Sequence, residues 1–154
     1  MNVQQDNKNI LKEAFEIWHA SKGASVDHWM GIMADKVKLK SLADGRGEVG
    51  FTKKSYSREE VQDYFEGLTA GMEMIHYTVD HYIAENDMVV AVGSTSWRVK
   101  ATGKTFDTPK CDVARFDNGK IVAFYEYYDT AMIFAAATPP AQDEDPAGRA
   151  AHTP

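Results

Sequence analysis

At 154 residues, 44% of them hydrophobic and 26% charged, the chain has the size and apolar content of one ordinary domain with room for a core and a pocket. Its formal net charge of -6, with 17 basic residues scattered along the chain, argues against the basic footprint of a nucleic-acid-binding surface. The single Cys111 permits no internal disulfide, the first nine residues are polar, and the longest apolar runs, 88–92 and 133–137, are too short to span a bilayer, so a cytoplasmic protein with no membrane partner is expected.

The N-terminal part reads as helical. Ile10, Leu11, Ala14, Phe15, Ile17 and Trp18 recur at the spacing of one helix face, which predicts a helix over about 6–21, capped by Asp6 and stopped at Lys22-Gly23. Ser25 opens a second, short helix whose buried stripe is Trp29, Ile32 and Met33. Over 36–42 strict alternation sends Val37, Leu39 and Ser41 to one face and lysines to the other, as in a half-exposed strand. Gly45, Gly47 and Gly50 mark a loop, and Ser57-Arg-Glu-Glu60 is a capping box opening a third helix with Val61, Tyr64, Phe65 and Leu68 on its apolar stripe.

From Met72 onward the period changes. Four runs rich in β-branched and aromatic residues, about 74–85, 87–100, 104–117 and 120–130, are separated by short polar breaks, which predicts an antiparallel meander. Three helices followed by a meander is an α+β order, with the helices on one face of a curved sheet whose concave side closes a pocket. Residues 135–154 lack apolar periodicity and read as a disordered tail behind a domain spanning 1–134.

The last hairpin carries the residues that need explaining, Asp112 and Glu126, two carboxylates inside otherwise apolar strands. A three-residue loop at Asp117-Asn118-Gly119 places 112 on the same face as 124 and 126, whereas a two-residue Asn118-Gly119 loop sets it beside 125. The first register is preferred because it gathers Ala114, Phe116, Val122, Phe124 and Tyr128 around both acids. Two facing acids repel when both are ionised, so one pKa rises and the pair shares a proton, which equips Glu126 as a general base with Asp112 as its partner acid. In the plainer alternative Asp112 forms a structural ion pair with Lys110 or Arg98 while Glu126 leans into solvent.

The segments Phe15-Glu-Ile-Trp18, Asp35 to Ser41, Lys54 to Val61, Glu85 to Val92, Thr102 to Phe106, Asp112 to Val122 and Tyr127-Tyr-Asp129 stand in a characteristic order and spacing. Through them the chain, over roughly residues 8–134, resembles the nuclear transport factor 2-like superfamily, in particular its SnoaL-like polyketide cyclase branch. The resemblance implies a cone-shaped α+β barrel with a deep apolar pocket, usually a homodimer, and an acidic base on the last strand facing a polar residue on the strand before. Glu126 matches the base and Asp112 the facing position, with Glu where the cyclases have Asp and Asp where they have His. Some epoxide hydrolases of the superfamily hold water between two acids and an arginine, and Lys110 stands at the place of that arginine without its planar fork.

Trp18, Trp29, Trp97, Tyr64 and Tyr128 are candidates for a wall that receives a flat or cyclic ligand, with core filling as the alternative. Ser41 either offers a hydroxyl to ligand from its apolar strand face or, as is commoner, satisfies it on the neighbouring backbone, and His76 is either a surface residue or a polar group of the pocket. His76 and His81 differ in strand parity and reach one face only through a bulge, so no histidine metal site is expected. The chain shows no nucleophile motif, phosphate-binding glycine loop or zinc spacing, and no cofactor is expected. The expected function is a small-molecule-binding protein, a cofactor-independent isomerase, cyclase or lyase that uses a pocket carboxylate on an apolar or polyketide-like molecule. The alternative is a non-catalytic binding or dimeric interaction module. A homodimer is expected further because one register leaves Val89, Val99 and Val113 on the outer face of the meander.

Overall fold

A computed structural model describes residues 2–140. Helix α1, Val3–Ala20, begins earlier than the sequence suggests because Asn2 caps it, its side chain accepting the Gln5 N–H at 3.2 Å. Helix α2 covers Val26–Ile32, and Met33, expected on its stripe, is instead the buried first residue of strand β1, Met33–Ser41. A short 3₁₀ turn at Gly50–Thr52 precedes helix α3, Arg58–Gly71. The capping box is reciprocal with a one-residue offset: Ser57 accepts from the Glu60 N–H, and the Glu60 carboxylate accepts from the Tyr56 N–H.

Strands β2 (Met72–Glu85), β3 (Met88–Val99), β4 (Thr105–Asp117) and β5 (Lys120–Tyr128) form the predicted meander, and β1 adds parallel to β5, giving an open mixed sheet of order β1-β5-β4-β3-β2. The chain then forms a fourth helix, α4 (Thr130–Ala137), capped by Asp129 and burying Ile133, Ala136 and Ala137. Residues 135–137, assigned by sequence to a disordered tail, are thus ordered by apolar contact; 141–154 lie outside the described residues. The core fills the space between the concave sheet face and the first three helices, with Leu11, Phe15, Trp18, Trp29, Val61 and Phe65 from the helices meeting Leu39, Tyr77, Trp97 and Phe124 from the sheet.

Bulges decide which side chains reach that space. The last hairpin closes through a two-residue Asn118-Gly119 turn, both residues at positive φ, with Asp117 opposite Lys120. That loop alone would set Asp112 beside Tyr125. An extra residue at Val122 restores the other register, so that Asp112 pairs with Glu126 and Ile121, rather than Val122, is the fully buried member. Strand β2 holds two more extra residues, Ile75 and Asp80. The first reverses the face of everything after Met74, turning Tyr77 inward and His76 outward; the second puts His81 on the same outer face as His76.

On β3 the inward set is Val89, Ala91, Thr95, Trp97 and Val99. Val89 and Val99, expected outside, are therefore core residues, and of the three valines only Val113 belongs to the outer face. Gly93, opposite Lys110, has no room for a side chain: a Cβ there would stand 1.9 Å from the Thr78 carbonyl oxygen. Gly93→Ala should cost roughly 3 kcal/mol or more, because the obstacle is backbone and cannot rotate away. Urea unfolding of the variant beside the wild type measures this.

Candidate active site

The concave face of the sheet and the helices form a pocket that opens to solvent. Its helical wall is aromatic: Phe15 and Trp18 of α1, Trp29 of α2 and Phe65 of α3, joined on the sheet by Trp97, Phe106 and Phe124. Trp18 meets Trp29 edge to face at 6.2 Å and Phe65 at 5.8 Å. Trp18, Trp97, Tyr64, Tyr128, Ser41, Lys110 and Glu126, proposed from the sequence as ligand contacts or base, all line this cavity. His76 does not; it lies on the outer face with its Nδ1 3.3 Å from the Thr78 hydroxyl, because of the bulge at Ile75. Asp112 is 1% exposed and absent from the lining, so it does not face the ligand space as a partner acid.

Lys110 organises the polar wall. Its ammonium donates to Asp112 Oδ1 at 2.5 Å, to the Tyr77 hydroxyl at 2.7 Å and to Glu126 Oε2 at 3.1 Å, which uses all three of its hydrogens. Tyr77 donates in turn to Asp112 Oδ2, and Tyr64 donates to Glu126 Oε1 at 2.7 Å. Arg98, the other cation considered for Asp112, instead meets Glu73 at the surface. Phe15 stacks on the Tyr77 ring at 5.1 Å and fixes it from the helix side. Tyr77 was the residue the sequence did not disclose, since plain alternation from Met74 points it away from the pocket.

The acids are not equivalent. Asp112 is sealed, with each oxygen taken by one donor, whereas the Glu126 carboxylate borders the cavity and keeps lone pairs free beside its bonds to Lys110 and Tyr64. Burial pushes Asp112 above the ordinary aspartate range and the Glu126 charge adds to this, while Lys110 and Tyr77 only partly offset them. Burial alone would lower Lys110, but attraction from Asp112 and Glu126 outweighs it and holds the ammonium above the free-lysine value. Burial, then the adjacent carboxylates, keep the Tyr64 and Tyr77 phenols well above 10, so both remain donors. The cluster gathers one ammonium, two carboxyl groups and two phenols, and only the Glu126 carboxyl borders the apolar cavity.

A family model described as SnoaL-like domain matches residues 12–124. No curated protein sequence matches the chain. Among solved structures, an NTF2-like protein from Burkholderia xenovorans LB400 superposes with a TM-score of 0.72 at 18% identity, covering 88% of this chain and 98% of that one. An NTF2-like protein from Burkholderia thailandensis E264 gives 0.71 at 23% identity, with 86% and 98% covered. A candidate SnoaL-like polyketide cyclase from Jannaschia sp. CCS1 gives 0.71 at 15% identity, with 91% and 97% covered. At these identities the likeness is one of fold.

Removing the cation tests the electrostatics. Lys110→Met should destabilise the protein by about 3–5 kcal/mol at neutral pH, because two carboxylates are left in the apolar wall without a counter-charge. An acid with a raised folded-state pKa binds its proton in the native state above the pH at which the unfolded chain does, so stability is gained as pH falls through that raised pKa toward 3.8. The deficit of the variant should therefore shrink on acidification, as read from urea midpoints between neutral and mildly acidic pH.

Proposed function

Because this chain belongs to the SnoaL-like domain family of the nuclear transport factor 2-like superfamily, we propose that it binds a compact apolar or polyketide-like molecule and acts on it by proton transfer, without a cofactor. The reading is that of an isomerase, cyclase or lyase. The observation that carries it is the Glu126 carboxylate at the edge of an aromatic cavity, held on one oxygen by Lys110 and on the other by Tyr64 with lone pairs left for a substrate C–H. Lys110 supplies counter-charge, Tyr64 fixes the carboxylate plane, and Asp112 with Tyr77 positions Lys110. Asp112 is thus a positioning residue that acts through the ammonium and does not touch the substrate.

A second reading, a non-catalytic binding or dimeric module, draws support from the completeness of the same network. All three ammonium hydrogens and both phenol hydrogens are already bonded within the protein, as in a purely structural ion cluster. A homodimer fits either reading. The outer sheet face carries Val90, Val113 and Tyr125 in one cross-strand row, with exposed Ile83 at its end, and Val92, Cys111 and exposed Tyr127 in the next.

Glu126→Gln should lower any proton-exchange activity by about 10²-fold or more while the protein stays folded, since the amide keeps the shape but not the basicity. Asp112→Asn should move the acid limb of the pH profile to lower pH without abolishing turnover, because the ammonium is then shared with one carboxylate. Retained full activity in the Gln variant rules out the base. Sedimentation at micromolar concentration should give twice the chain mass; a monomer leaves the outer apolar rows without a partner.

A further inference from the structure

Strand β2 is an end strand of the sheet, so every second backbone N–H along it points away from β3 and finds no strand to bond. At Tyr77 helix α1 packs along that edge, and the Tyr77 N–H donates to Nδ1 of His19, in the last turn of the helix, at 3.1 Å. Helix α1 therefore holds Tyr77 twice, one helical turn apart: Phe15 stacks on its ring at 5.1 Å and His19 takes its amide hydrogen. At the far end of the ring the hydroxyl accepts from Lys110 at 2.7 Å and donates to Asp112. Tyr77 is a strut between the end of α1 and the acid cluster.

A ring nitrogen accepts only while it carries no hydrogen, so Nδ1 is bare and the neutral imidazole keeps its hydrogen on Nε2. A proton added to Nδ1 turns the acceptor into a donor, and two N–H groups then oppose each other. Histidine is the side chain that takes up a proton in mildly acidic water, and His19 is half-buried, within reach of solvent. An amide or carbonyl oxygen at this place would hold Tyr77 equally well at any pH. On α1 and the turn after it, Glu16 and Lys22 stand three residues to either side, the Lys22 ammonium donating to the His19 carbonyl at 3.1 Å. From β2 come the phenols of Tyr77 and Tyr82, the second pushed up to about 12 by burial first and then by Glu16 and Asp112. Strand β3 and helix α2 meet this helix through Trp97 and Trp29, which carry no charge.

We propose that His19 is a positioning residue for the acid cluster: its bare Nδ1 fixes Tyr77 against Asp112 and Lys110, and a proton on that nitrogen releases the strut. Asp112 then loses the donor on one oxygen, and the Lys110 ammonium loses one of its acceptors. The state of a helix residue outside the pocket thus reaches the cation that Glu126 shares. That it tunes catalysis rests on the proton-transfer reading above; the link from His19 to Asp112 needs no substrate.

The experiment is nuclear magnetic resonance on the free protein. With nitrogen-15 labelling, a coupling across the Tyr77 N–H···Nδ1 bond should be present at neutral pH and vanish as the His19 ring takes its proton. With carbon-13 in the aspartate carboxyls, the Asp112 signal should step over the same range. Two variants separate position from mere packing: His19→Asn supplies an amide oxygen that mild acid does not protonate, and His19→Leu supplies no acceptor. The Tyr77 amide hydrogen should exchange about fivefold faster in the Leu variant than in the Asn variant. Asp112 should take its proton at higher pH in the Leu variant than in the Asn variant, because donation from Tyr77 favours the charged form. No coupling in the wild type at neutral pH overturns the bond, and equal Asp112 midpoints in the two variants overturn the positioning role. If the Leu variant fails to fold, the wild type decides: an Asp112 signal that does not move while the His19 ring titrates overturns the proposal. A lack of any proton-transfer activity removes the reading of Glu126 as base and leaves each of these outcomes as it stands.

Discussion

One ammonium group, that of Lys110, lets two carboxylates exist side by side in an otherwise apolar cone. Without it, burial and the nearby Glu126 charge oppose ionisation of Asp112 with nothing but the Tyr77 hydroxyl to offset them. With it, charge is concentrated at the back of the pocket, where Asp112 and Tyr77 hold the cation, and one acid remains at the cavity surface. The shorter contact to Asp112, 2.5 Å against 3.1 Å to Glu126, fits that division of roles. The aromatic helical wall then acts as a low-dielectric lining that strengthens each of these interactions.

The helices were legible because burial and capping are local signals. Apolar stripes at helical spacing and the Ser57 capping box located α1 to α3 well, and the four β-rich runs located the meander. Helix α4 escaped because its apolar residues are mostly alanine and show no amphipathic period, so its order comes from contacts the local pattern does not display. The parallel strand β1 was visible as a strand from its alternation; its partner β5 was not, since parallel pairing joins segments far apart in sequence.

The site was legible in composition and less so in direction. Glu126, Lys110, Ser41, Tyr64, Trp97 and Tyr128, offered by the sequence as pocket groups with core filling or a structural ion pair as the alternative, all line the cavity. His76 takes the outer of the two places the sequence left open to it and Tyr77 was overlooked, both because of the extra residue at Ile75, which reverses parity without any glycine or proline to announce it. The hairpin shows the converse. The Asn118-Gly119 dipeptide correctly signals a two-residue turn, and taken alone it would point Asp112 the wrong way, yet the extra residue at Val122 restores the facing pair. A local rule and a tertiary requirement disagree there, and the strand absorbs the difference in one residue.

That arrangement has a consequence for how such a pocket diversifies. Every inward side chain between Met74 and Val79 owes its direction to one supernumerary residue, so removing it exchanges the whole row at once: the phenol at 77 leaves the cavity and an imidazole at 76 enters. Single-residue insertions and deletions inside these strands are therefore a coarser lever on pocket chemistry than substitutions, swapping acid–base character while most of the core stays as it is. A fold built this way changes its reagents by sliding a strand, and length variation within strands is where divergence of activity would be written.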